Sequence, residues 1–192
     1  MSVVTEERKG AAAARVVNGV NVSQLSETVA AVSGTPEIAK FRFRARNRWV
    51  GGGRNRTTVG EADGALRGRL QSESFVSRGD GPPVTLGDGA NPVEYVLAAL
   101  AGCLTTSLVY HAAAQGIEIE EVESEYEGDL DLRGFLGVRE DVRNGYESLR
   151  VTFRVKADAP EEKLRELVEL AQRRSPVFDI ISNPVPIEVR LK

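Results

Sequence analysis

The sequence predicts an α+β fold organised around one long buried helix, and three observations predict it. Val93 to Ala114 is an apolar run of helical length, opened by Asn91-Pro92 and closed by Gly116. Alternating or strand-like segments stand on either side of it, at Phe41 to Trp49 and Ser148 to Lys156. A second, amphipathic helix follows, with Leu164, Leu167, Val168 and Ala171 on one face. A chain of 192 residues can supply one substantial core. The economical division is a leader and helical extension over 1–38 and one domain over 39–192.

Taken in order, residues 1–18 read as a mobile leader. Val20 to Val32 carries helical spacing at Val22, Leu25, Val29 and Val32, and Gly34 suits the end of that helix. From Phe41 to Trp49 the pattern alternates, with Phe41, Phe43, Ala45 and Trp49 on one face and Arg42, Arg44, Arg46 and Arg48 on the other. That is the mark of a half-buried strand. Gly51-Gly52-Gly53 then turns the chain back into Asn55 to Val59, a hairpin whose tip needs positive φ. Ser74 to Ser77 predicts a further strand. Arg78 to Ala90, rich in glycine and proline, predicts a loop of the kind that borders sites.

The helix from Asn91 to about Gln115 is apolar on most of its surface, so it belongs at the centre of the fold. Ile117 to Leu132 and Ser148 to Lys156 predict two strands joined by a charged, glycine-containing connection. Asp158 with Glu161 forms a capping-box pattern for a helix over Ala159 to Arg174. Ser175-Pro176 makes an N-cap and N1 pair for a short helix, and Pro186 to Leu191 predicts a closing strand.

Composition excludes several classes of function. The apolar run is broken by Glu94, Thr105, Thr106, Ser107 and His111, which disfavours a membrane span. The Ala11 to Ala14 run is too short for a signal core, so a cytoplasmic protein is expected. One cysteine excludes an internal disulfide, and one cysteine with one histidine cannot furnish an ordinary structural zinc site; no metal and no cofactor is expected. Lys40, Arg54 and Arg56 extend the arginine-rich strand into a basic stretch. It reads as a solvated face matched by acids such as those of Glu118 to Glu127. The net charge of -3 and the lack of an aromatic stacking platform argue against nucleic acid. Arg78-Gly79-Asp80, Asn21-Val22-Ser23 and Asn55-Arg56-Thr57 match short motifs that arise by chance and carry little without export.

The candidate chemistry is at Cys103, within Ala101-Gly102-Cys103-Leu104. By itself a free cysteine is more often an inert small hydrophobe than a reactive group. Asn91-Pro92, the alanine-rich helix and Ala101-Gly102-Cys103 together resemble the central helix of the OsmC/Ohr peroxidases. The resemblance runs from Phe41 to the C-terminus. It includes Gly52-Gly53-Arg54, where the family places an arginine beside the reactive cysteine, and Arg174-Ser175-Pro176-Val177, where it places a Cys-Pro-Val motif.

The resemblance implies a curved antiparallel sheet packed on the long helix, an intertwined homodimer, and an extra N-terminal helix outside the shared core. It gives Cys103 the role of nucleophile toward an organic hydroperoxide and Arg54 that of the cation favouring the thiolate and the departing alkoxide. Two positions depart from the family. Ser175 stands where a resolving cysteine would form a disulfide, so an external thiol must act as reductant; the hydroxyl itself reads best as the helix cap. Val93 stands where a carboxylate orients the arginine, and Glu94 is one residue later. Glu94 therefore caps the helix or replaces that carboxylate, and both readings stay open. His111, two turns beyond Cys103, reads as a core or interface residue rather than a base. A protein keeping the fold for ligand binding or redox sensing, without turnover, is the alternative.

Overall fold

The computed structural model describes residues 15–51, 54–59 and 91–191, with the backbone alone described at 50, 54–56, 58 and 59. The predicted strand at Ser74 to Ser77 and the loop Arg78 to Ala90 fall outside the described residues.

Two short strands, β1 (Val16–Val17) and β2 (Val20–Asn21), form a hairpin whose turn places Asn18 and Gly19 at positive φ. This hairpin replaces most of the end of the expected leader, and Val17 is buried. Asn18 holds it in place. Its amide nitrogen donates to the Ile117 carbonyl at 2.9 Å and its Oδ1 accepts from the Ile119 N–H at 2.8 Å. Helix α1 (Val22–Gly34) follows, with Asn21 as its N-cap accepting from the Gln24 N–H.

The hairpin β3 (Ala45–Gly51) and β4 (Arg54–Val59) is antiparallel and irregular at Trp49 to Gly51. The expectation of a half-buried strand from Phe41 is corrected here. The ladder with β4 starts only at Ala45, and Arg42 to Trp49 are all exposed, with Phe43 77% and Trp49 71% accessible. Phe41 and Phe43 stack on one another with ring centroids 6.1 Å apart.

Helix α2 (Pro92–Gln115) spans 24 residues and ends at Gly116, whose φ of 73° is the left-handed conformation that a side chain would oppose. Strands β5 (Ile119–Leu130) and β6 (Tyr146–Ala157) form a long antiparallel ladder pairing Val122 with Val155 and Ser124 with Phe153. A single helical turn, α3 (Leu132–Phe135), lies between them. Helices α4 (Glu161–Arg174) and α5 (Pro176–Ser182) close the described chain.

The core joins the C-terminal half of α2 to α4 and the sheet. Leu108, Ala112, Ile117, Leu167 and Ala171 are buried together, with Val122, Phe153, Val155 and Val168 packed against them. Burial of Leu108 and Leu167 contributes about 1.5–3 kcal/mol each. On the outer face of the ladder, Arg150 pairs with Glu127 and Asp129, Arg154 with Glu121 and Glu123, and Lys156 with Glu120. The acids of β5 are thus matched by β6, not by the arginines of β3.

Two further expectations are corrected. Asp158 and Glu161 form no capping box; α4 begins at Glu161 with Pro160 as its N-cap and no side-chain cap bond. The proline ring drives the preceding Ala159 out of helical geometry, so the helix cannot start there. Pro186 to Leu191 forms no strand among the described residues. It lies outside any ladder, with Ile187, Val189 and Leu191 exposed.

Candidate active site around Cys103

The first turn of α2 is built by reciprocal bonds. Asn91 Oδ1 accepts from the N–H groups of Val93 and Glu94 at 3.0 and 3.1 Å, and the Asn91 N–H donates to Glu94 Oε2 at 2.6 Å. Of the two sequence readings for Glu94, the cap is therefore seen directly. Glu94 stands nine positions before Cys103, about 13 Å along the helix axis.

A second anchor comes from the sheet. Tyr146 Oη donates to the Val93 carbonyl at 2.9 Å. Its ring crosses Gly128 on the neighbouring strand, where a Cβ would lie 2.5 Å from a ring carbon. Gly128 has no side chain because the ring occupies that space. Burial first and the nearby Glu94 carboxylate second push the Tyr146 hydroxyl above its ordinary pKa, which keeps it a neutral donor.

Cys103 lies midway along α2 and is partly buried. Ser175 comes to it from the junction of α4 and α5. Its backbone N–H donates to the Gln172 carbonyl, ending α4, and its Oγ accepts from the Phe178 N–H at 3.2 Å, opening α5. The same Oγ donates to Cys103 Sγ at 3.1 Å. The expected cap role is present, together with a contact to sulfur that sequence reasoning missed. The signal lay in the resemblance, since the cysteine that Ser175 replaces must reach the same sulfur.

His111 is partly buried further along α2. Burial and, less strongly, the Arg174 charge lower its pKa, so the neutral imidazole is favoured. This agrees with a packing role. Arg54 opens β4 as the backbone partner of Gly51, and its side chain lies outside the described residues. A groove of about 550 Å³ lies at the sheet, lined by Glu123, Ser124, Glu125, Thr152 and Arg154, and Cys103 is not among its lining residues. No group of three or more histidine, cysteine or acidic side chains suited to a metal occurs among the described residues.

Comparison with known proteins gives this arrangement a context. The structure is similar to that of an OsmC-like protein from Mycoplasma pneumoniae, with a TM-score of 0.58 and 15% identity over 74% of this chain and 89% of that one. It is also similar to a protein from Psychrobacter arcticus 273-4 named for osmotic stress induction and detoxification response, with a TM-score of 0.53 and 16% identity over 73% and 88% of the two chains. At these identities the likeness shows the fold. Nothing among the curated proteins matches the sequence. The family model described as OsmC-like protein matches residues 85–190, which cover α2, the β5–β6 ladder, α4 and α5, and the chain belongs to that family.

Proposed function

We propose that the chain is a one-cysteine thiol peroxidase that reduces organic hydroperoxides in the cytoplasm, with Cys103 as nucleophile and an external thiol as reductant. The contact between Ser175 and Cys103 carries this reading. The only sulfur nucleophile in the chain stands on the central helix of an OsmC-like domain, and the side chain touching it has no sulfur to offer.

In the first step the Cys103 thiolate attacks a peroxide oxygen. An S–O bond forms, the O–O bond breaks, and the departing alkoxide takes a proton to leave as an alcohol. Sulfur is oxidised to the sulfenic acid and the peroxide is reduced. An external thiol then condenses with the sulfenic acid, forming a mixed disulfide and releasing water. A second thiol attacks that disulfide, leaves as the external disulfide, and returns Cys103 to the thiol. Arg54 serves as the cation that favours the thiolate and the developing alkoxide, a role suited to a guanidinium that is always charged. Glu94 caps α2 through Oε2, and in this proposal its carboxylate also stands in for the family acid that orients the arginine.

The homodimer belongs to the same proposal. Val96 on α2, Phe43 and Trp49 near and on β3, and Ile187, Val189 and Leu191 at the C-terminus leave apolar side chains in water. An isologous partner covers such surfaces.

The test is stopped-flow reaction of the reduced protein with tert-butyl or cumene hydroperoxide, following sulfenic acid at Cys103 by mass spectrometry. Fast oxidation is expected, abolished by Cys103→Ser and slowed about 100-fold or more by Arg54→Ala. A second reading is favoured by the same serine: with no internal sulfur to complete turnover, the fold serves as a ligand-binding or redox-sensing dimer. Oxidation no faster than that of a free thiol in solution would leave only this second reading.

A further inference from the structure

Ser175 is 2% accessible, and it is the only buried polar or charged side chain among the described residues. Its hydroxyl carries one proton and two lone pairs. One lone pair takes the Phe178 N–H, so the proton is free to point elsewhere, and Cys103 Sγ lies 3.1 Å away. When Cys103 loses its proton to solvent base, sulfur can only accept. The contact then requires Ser175 to donate, and the bond becomes a charge-assisted one.

We infer that Ser175 is a positioning residue for the Cys103 thiolate, holding it through a hydroxyl whose orientation is set by the α5 cap. The inference rests on the peroxidase reading for its purpose but not for its physics. A hydrogen bond to a thiolate has two opposed effects. It raises the ionised fraction at neutral pH, by about tenfold for a bond to a charged group. It also draws electron density from sulfur, and nucleophilicity falls by about threefold for the same change in basicity.

Removing the hydroxyl therefore leaves a distinctive signature. Alkylation of Cys103 by iodoacetamide, measured across pH on the full chain, should become about threefold slower at neutral pH and about threefold faster at alkaline pH, where every variant is fully ionised. The variants are Ser175→Ala and Ser175→Gly. Glycine is nearly as good as serine at an N-cap, so the second variant keeps the helix start if the first perturbs it. Ser175→Thr keeps the hydroxyl and should restore the parent profile.

A role confined to capping α5 would not make the two profiles cross. Profiles that run parallel, or that fall at both ends, overturn the inference. Because iodoacetamide involves no peroxide, the outcomes separate. Crossing profiles with slow peroxide oxidation would retire the peroxidase reading and keep Ser175 as the thiolate donor. Fast, Cys103-dependent peroxide reduction with no crossing would do the reverse.

Discussion

Ser175 and Cys103 are 72 positions apart in sequence and 3.1 Å apart in space, and that proximity makes a redox prediction. In Ser175→Cys, one equivalent of hydroperoxide should produce an internal disulfide: the introduced thiol attacks the sulfenic acid, an S–S bond forms, and the sulfenic oxygen leaves as water. Non-reducing mass spectrometry after alkylation reads this directly. A persistent sulfenic acid beside a free introduced thiol would show that the two side chains cannot meet disulfide geometry. At His111 the sign of the pH effect follows from a pKa lowered below 6.5. Folding favours the neutral ring, so its contribution is complete above about pH 7 and is lost as pH falls below 6.5 toward the folded value. Urea midpoints between about pH 7 and pH 5 should drop more steeply in the parent than in His111→Gln. The residues of the site were legible to different degrees. Asn91 and Glu94 bond within one turn, so the cap was one of the two readings that the sequence offered. The hydroxyl that touches Cys103 depends on where two helices meet, and no local pattern encodes that.

Gly128 shows how one strand position governs a helix end. Alanine is ordinarily better than glycine in a strand, yet here its Cβ would meet the Tyr146 ring at 2.5 Å and a Leu149 methyl at 2.7 Å. Gly128→Ala should destabilise the fold by about 1–3 kcal/mol in urea titration, through overpacking. Tyr146→Phe keeps the ring but loses the bond to Val93 and should cost about 1 kcal/mol. An unchanged midpoint in both would mean that this anchor is dispensable. Helix α2 was readable from its apolar length and its Asn91-Pro92 and Gly116 ends, and α4 from a helical apolar period. The start of α4 was less so, since Pro160 delays it through a steric effect on its neighbour. The strand expected at Pro186 to Leu191 failed for another reason. Its apolar residues are spaced as a strand requires, but among the described residues no strand pairs with it.

The chain taken whole exposes what a finished surface would hide. Only 28% of the most apolar stretch of α2 is buried. If the proposed dimer supplies the missing cover, sedimentation at micromolar concentration should find a dimer, and a monomer there would count heavily against the arrangement. The surface ion pairs of the ladder should matter little beside this. Arg150 first and Ser148 second hold the exposed Asp129 carboxyl down to about 2, but salt screens such pairs.

Asn18 carries a kinetic consequence. Its two bonds reach Ile117 and Ile119, 99 and 101 positions away, so closing that joint costs about 4 kcal/mol in chain entropy before either bond is made. During synthesis the β1–β2 hairpin has no seat until β5 has emerged. The hairpin therefore cannot dock as it is made and waits for a partner about a hundred residues later in the chain.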